Sequence, residues 1–267
     1  MKLIRENRET RAATFNEIAE LYDLGRRESR EQLFEDLFAN IPVDAADADI
    51  LEIGCGTGQA TLPLARRGCR VLAVEMGANL ARIAREKLVA FERVEIVNAR
   101  FEDWVPTRRF DLVLAVTSWH WIDPKVRYAR AAAALKPGGT LAFTANDHAF
   151  PPGFDPFFSA IQDCYAEIGV GRLEFPRLLP DEIPDASDEI ESSGYFENVC
   201  VIRRLWTQEF TANEHVAMMT TASDHRLLEP EKRERLFAEM RRLIATRPEG
   251  RITKHNLTML HLARVKA

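Results

Sequence analysis

Glu52-Ile53-Gly54-Cys55-Gly56-Thr57-Gly58 follows directly on the apolar pair Ile50-Leu51, and its reading decides the fold. The residues up to Ile53 have the content of a buried strand. The three glycines read as a tight turn, and the stretch from Gln59, with Ala60, Leu62, Leu64 and Ala65, as a helix. Glycine at every second position lets the backbone bend and approach a ligand where a Cβ would collide. A helix after such a turn aims unpaired N–H groups and a positive dipole end at whatever sits there. The arrangement predicts a small-molecule site at the carboxyl end of the first strand of an α/β sheet.

The ligand is narrowed by what surrounds the glycines. A dinucleotide fingerprint needs a small residue three places after the second glycine, where this chain has Gln59; the third glycine comes one residue early, at Gly58. The loop has no Gly-Lys-Ser/Thr ending, so it is not a P-loop. Glu52 stands before the first glycine. A carboxylate there repels a pyrophosphate but suits a cation such as an amino group or a sulfonium. The next strand, Val71-Leu72-Ala73-Val74, ends in Glu75, an acid placed to accept hydrogen bonds from both hydroxyls of a ribose.

Glycine loop, acid before it and acid after the second strand together resemble the class I S-adenosylmethionine-dependent methyltransferases. Further pieces follow in that family's order over residues 49–145. Val94-Glu95-Ile96-Val97 corresponds to a third strand and Phe110 to Ala115 to a fourth. Leu135-Lys136-Pro137-Gly138-Gly139 corresponds to the turn before the fifth, Thr140 to Phe143. Pro presets the first position of such a turn and Gly tolerates positive φ at the second. Phe101-Glu102-Asp103-Trp104 and Trp119-His120-Trp121 are similar to the small-molecule (type 11) subset that includes trans-aconitate methyltransferase-like proteins. The implied fold is α/β: a Rossmann-like, seven-stranded, mostly parallel sheet with helices on both faces and an N-terminal helical lid.

The resemblance also assigns roles. Glu52 and the backbone of Gly54, Cys55, Gly56, Thr57 and Gly58 would hold the methionine portion of S-adenosylmethionine. Glu75 would hold the ribose, and Met76 would lie against the adenine. The family's adenine-binding acid falls at Arg100, which cannot accept from an amine, so Phe101, through its backbone N–H, and Glu102 are left for that contact. Arg100 reads otherwise as a surface cation paired with Glu102 or Asp103. Thr117 and His120 border the cofactor at the lip after the fourth strand. His120 is the general-base candidate, since histidine titrates near neutrality; the alternative is that it only shapes the loop between Trp119 and Trp121. Tyr22, in Glu20-Leu21-Tyr22-Asp23, is either a hydroxyl near the methyl group or ordinary helix packing. Asn146, Asp147 and His148 either touch substrate or serve the turn after the fifth strand.

The implied reaction is in-line transfer of a methyl group to oxygen, nitrogen or carbon of a small molecule. Two other readings compete with it: a scaffold that keeps the fold and binds the cofactor without turnover, favoured by Arg100, and a nicotinamide oxidoreductase, disfavoured by Gln59 and Glu52.

Composition sets outer bounds. The 267 residues are 46% hydrophobic, ample for a sizeable core, and the net charge is −5 at pH 7. That charge argues against non-specific nucleic-acid binding, which runs on basic surface. No stretch approaches the ~20 apolar residues of a membrane span, and Met1 to Asn7 has no apolar region of a secretory signal. Cys55, Cys69, Cys164 and Cys200 lie far apart, without metal-ligand spacing, and read as reduced thiols of a cytoplasmic protein. Cys55 reads as packing within the loop. His215, His225, His255 and His261 share no metal spacing and read as surface or core residues. No metal is expected, and oligomeric state is open.

The organisation read from the chain is a single domain. Residues 1–48 form the helical lid, broken at Gly25. Residues 49–145 form the cofactor-binding core, 146–198 a substrate-side insert with an irregular proline-rich excursion over 171–186, and 199–267 the last strands and helices. Helices are expected at 78–89, 124–135, 156–168, 212–221 and 229–245, and strands at 199–206 and 251–264.

Overall fold

The computed structural model describes residues 8–26, 28–170 and 177–266. Residues 1–7 of the expected helical lid and residues 171–176 of the expected excursion lie outside them.

The N-terminal region forms three helices: α1 Arg8–Glu17, α2 Ala19–Gly25 and α3 Glu31–Ala39. The break after Gly25 falls as expected; a second, at Ile18, divides what reads as one helix. Strand and helix then alternate: β1 Asp49–Ile53, α4 Thr61–Arg66, β2 Arg70–Glu75, α5 Ala78–Leu88, β3 Val94–Asn98, β4 Phe110–Val116, α6 Arg127–Ala134 and β5 Leu135–His148. Beyond β5 come α7 Phe157–Glu167, α8 Ser187–Ser192, β6 Phe196–Thr211, α9 Ala212–Thr220, α10 Ser223–Arg226, α11 Pro230–Ala245 and β7 Arg251–Val265.

The seven strands stand in the order β3-β2-β1-β4-β5-β7-β6, and the pairs β3/β2, β2/β1, β1/β4 and β4/β5 are parallel. The chain leaves β1 toward β2 on one side and later enters β4 on the other. The carboxyl ends of β1 and β4 therefore flank the point where strand order reverses, the usual ligand crevice of such sheets.

Period-2 alternation sorts the strand residues onto two buried faces. Ile50, Val71, Ala73, Leu112, Leu114 and Ala142 share one face with Phe34 and Leu37 of α3, Leu64 of α4 and Leu88 of α5. Leu51, Leu72, Val74, Val113, Leu141 and Phe143 share the other with Tyr128 and Ala131 of α6 and Ile190 of α8. Each such aliphatic side chain contributes about 1.5–3 kcal/mol by leaving water.

Two expectations are corrected here. The helix after the glycine loop starts at Thr61 rather than Gln59 and spans only Thr61–Arg66, because residues 56–60 are spent on turns. The fifth strand begins at Leu135, not Thr140. Phe110 pairs with Leu135 and Leu112 with Thr140, so residues 136–139 form a bulge within the strand, with Gly138 at φ +75° as its turn role requires.

The chain divides into two compact units. The core unit is Arg26–Asn146, Pro184–Arg203 and the chain from Thr258 on; the insert unit is the chain up to Gly25, Asp147–Ile183 and Arg204–Leu257. The insert unit has its own apolar core, built from Phe157, Ile161, Tyr165, Phe210, Leu236, Met240 and Ile244 among others.

Candidate active site

Within the core unit, β1 runs into the glycine loop under tight restraint. Gly54 N–H donates to the Val74 carbonyl at 2.8 Å, extending the β1/β2 ladder by one residue. Gly54 has φ +71°, and a Cβ placed on it would stand 2.7 Å from Ser118 Cβ. Only glycine meets both conditions. Ser118, just past β4, donates its hydroxyl to the Ile53 carbonyl. Beside it, Thr117 takes φ +54° and gives its N–H to Thr144 Oγ1 of β5 at 2.9 Å. The lip after β4 is thus anchored to β1 and β5 at once.

Two acids sit beneath the loop. Glu52 is 1% exposed, and its Oε2 has no hydrogen-bond partner among the described residues. Burial, with the negative charge of Glu75 adding to it and the Thr61 hydroxyl opposing, lifts its carboxyl from the usual 4.5 to about 7. Glu75 is 5% exposed. Its Oε2 accepts the Gly56 N–H at 2.9 Å and its Oε1 the Gly77 N–H at 2.8 Å. Burial raises its pKa as well, while those N–H donors pull it down.

The rest of the predicted set divides. Thr57 and Gln59 close the loop on each other, Gln59 Nε2 donating to Thr57 Oγ1 at 2.6 Å. Met76, whose carbonyl accepts from Asn98 Nδ2 at 3.1 Å, is 43% exposed and so offers an apolar surface at the loop after β2. The ring of Phe101 is buried in the core, which leaves its backbone for any ligand. Glu102 Oε1 accepts the Asp123 N–H at 3.0 Å. Arg100 lies 3.6 Å from Asp103 and 4.0 Å from Glu102, the surface cation beside two acids that its neighbours in sequence suggest. His120 is exposed with its ring centroid 4.6 Å from that of Trp121, whereas Trp119 is buried and stacks on Phe143 at 5.0 Å.

Cys55 is buried and its thiol is held well above its ordinary pKa by burial, a packing residue without nucleophilic character. Tyr22 belongs to the insert unit, where its ring meets Phe15 edge-on at 5.6 Å. Asn146 Oδ1 accepts the Thr258 hydroxyl at 2.6 Å. No cluster among the described residues has the make-up of a metal site, and no described helix is long and apolar enough to cross a membrane. The Ser118 and Thr144 anchors were missed from sequence, since neither follows from any local pattern.

Residues 50–139 match the family model of the methyltransferase domain. A trans-aconitate 2-methyltransferase of Rhodopseudomonas palustris is 34% identical over 128 residues, 47% of this chain and 48% of that one. A malonyl-[acyl-carrier protein] O-methyltransferase of Priestia megaterium is 26% identical over 60% of this chain and 57% of its own. The chain thus spans about half the length of the curated relatives it matches. In three dimensions it is similar to phosphoethanolamine N-methyltransferase 2 of Haemonchus contortus, solved with S-adenosylhomocysteine. The TM-score is 0.54 at 15% identity, over 98% of this chain and 60% of that one. The matched stretch is thus a methyltransferase domain, and its cofactor is S-adenosylmethionine.

The residues present fit that cofactor. A buried carboxylate oxygen without a partner is costly unless a positive group completes it, and Glu52 Oε2 is such an atom at the foot of the loop. The absence of a Cβ at Gly54 opens the backbone beside it.

Proposed function

We propose that this protein transfers a methyl group from S-adenosylmethionine to a small organic acid. The observation that carries the first half is Glu52 Oε2, buried and unpartnered next to a glycine loop that Glu75 shapes from the adjacent strand. Glu52 and the backbone of Gly54 to Gly58 would hold the methionine portion. Glu75 would accept from the ribose, Met76 would cover one side of the adenine, and the Phe101 N–H and Glu102 would meet its edge. Thr117 and His120 would border the transferable methyl. Bound there, the cofactor supplies an electrophilic methyl group on a sulfonium whose charge is lost on transfer. The protein's part is then to position and desolvate. His120 would take a proton only from an acceptor that must lose one; a carboxylate oxygen needs no base. The acid is suggested by two relatives, named for trans-aconitate and for malonyl-[acyl-carrier protein].

The competing reading is a scaffold that binds the cofactor without turnover, and Arg100 in place of the family's adenine-binding acid favours it. Calorimetric titration with S-adenosylhomocysteine, with NAD as control, decides the cofactor: micromolar binding of the first alone supports the proposal, and no binding sinks it. Turnover of radiolabelled S-adenosylmethionine against a panel of organic acids then separates enzyme from scaffold.

A further inference from the structure

Behind the lip that follows β4 stands an arginine. Trp119–Trp121 forms a short 3-10 turn in which the Trp121 N–H donates to the Ser118 carbonyl at 2.9 Å and the Ile122 N–H to the Trp119 carbonyl at 3.2 Å. Arg127, the first residue of α6, reaches back to the same Trp119 carbonyl, its Nη1 donating at 3.1 Å. Its Nη2 pairs with Glu189 Oε1 of α8. Turn, arginine and Glu189 all belong to the core unit.

Rings seal the guanidinium. Its central carbon lies 5.4 Å from the ring centroid of Trp119 and 5.3 Å from that of Tyr128. Trp119 and Tyr128 meet edge-on at 5.3 Å. The Arg127 side chain is 11% exposed, against 47% for Glu189. Its Nε is buried without a hydrogen-bond partner among the described residues.

Stability alone does not account for an arginine at this place. A pair with a half-exposed carboxylate contributes little. A buried guanidinium with one donor unsatisfied costs desolvation that an apolar side chain of similar length would avoid. What an apolar side chain cannot supply is a directed donor. A charge-assisted bond fixes the Trp119 carbonyl, and the planar fork serves Glu189 and lies against the rings at the same time, as a lysine cannot.

The carbonyl so held is the one that closes the turn, and His120 is the turn's middle residue. On the other side the Ser118 hydroxyl bonds the Ile53 carbonyl and the Thr117 N–H bonds Thr144. The lip is therefore mounted on β1 and β5 in front and on α6 behind.

The geometry points to Arg127 as a positioning residue for methyl transfer, one that sets the Trp119–Trp121 turn and, through it, the placing of Thr117 and His120 against the cofactor. The assignment rests on the reading of the lip as the border of the transferable methyl. Arg127 acts through the turn and not on the reacting atoms.

Amide hydrogen exchange on the full chain, followed by NMR, tests this. Arg127→Met should speed exchange at Trp121 and Ile122 by about 10-fold or more and leave Leu51 and Leu72 in the sheet unchanged. Arg127→Lys keeps one donor for the carbonyl and should recover part of that protection. Glu189→Gln removes the ion pair but not the carbonyl bond, and should change exchange by less than about 3-fold. Calorimetry should show S-adenosylhomocysteine binding Arg127→Met about 5-fold or more weakly than the parent, since a displaced lip misplaces its contacts. Unchanged exchange at Trp121 and Ile122, an acceleration shared by the whole sheet, or an equal effect of Glu189→Gln would overturn the proposal. So would an S-adenosylhomocysteine affinity that stays constant while the turn loosens. Failure of the parent itself to bind S-adenosylhomocysteine counts against the cofactor reading alone, and exchange at the two amides then still decides whether Arg127 holds the turn.

Discussion

Glu75 Oε2 accepts the Gly56 N–H at 2.9 Å, so the acid that ends β2 is tied to the middle glycine of the loop that follows β1. Its other oxygen takes the Gly77 N–H at 2.8 Å. Two charge-assisted bonds to backbone fix the carboxylate before any ligand arrives, while each oxygen keeps a lone pair for a further donor.

Replacing Glu75 by Ala removes the proposed ribose acceptor and both loop restraints. S-adenosylhomocysteine affinity should fall by roughly 1.5–3 kcal/mol, read by calorimetry, and the melting temperature should fall with it. Unchanged affinity would remove Glu75 from the ribose.

Glu52 gives the protein a pH signature. Its carboxyl rises from 4.5 in the free side chain to about 7 when folded, so between those values the folded state holds a proton that the unfolded state has lost. Stability is then fully present below 4.5 and declines as pH rises through 7, by about 3 kcal/mol in all. Glu52→Gln should abolish this slope. Urea unfolding at pH 5 and pH 8 should show the variant gaining on the parent at the higher pH, while its affinity for S-adenosylmethionine falls. A parent protein equally stable at both values would contradict the burial of an ionisable Glu52.

Gly54→Ala forces a side chain into positive φ and against Ser118. The backbone strain alone is worth ~1–3 kcal/mol, and the urea midpoint should drop accordingly. Adding Ser118→Gly relieves the contact but not the φ, so only part of the loss should return. Complete recovery would show that φ at this position costs nothing.

His120→Ala tests the base assignment once an acceptor is in hand. A residue that removes a proton in the transition state should slow transfer by ~10²-fold or more, with the loss in kcat. A carboxylate acceptor predicts the opposite, a change of only a few fold, and so marks His120 as a residue that shapes the lip beside Trp121.

What could be read directly from the chain was whatever local chemistry forces. The glycines of the loop, the acids at the ends of β1 and β2 and the apolar strand content of Ile50-Leu51, Val71 to Val74 and Phe110 to Ala115 need no distant partner to be recognised. Helices α8 and α10 escaped notice because Ser187–Ser192 and Ser223–Arg226 are too short to establish a 3.6-residue period. Strand β6 was cut short at 206, since its continuation Thr207-Gln208-Glu209 is polar although the strand runs to Thr211. The ties from Ser118 to Ile53 and from Glu102 to the Asp123 N–H join residues far apart in sequence.

Strand order has a consequence for how the molecule is made. β7 lies between β5 and β6, yet it is synthesised after both. Until β7 arrives, β6 has no neighbour in the sheet and β5 presents an open edge. A nascent chain halted between Thr211 and Arg251 therefore leaves both edges of β6 and one edge of β5 unpaired, the kind of surface that invites pairing with another chain. Chaperone dependence should be greatest in that interval and end when β7 slides in.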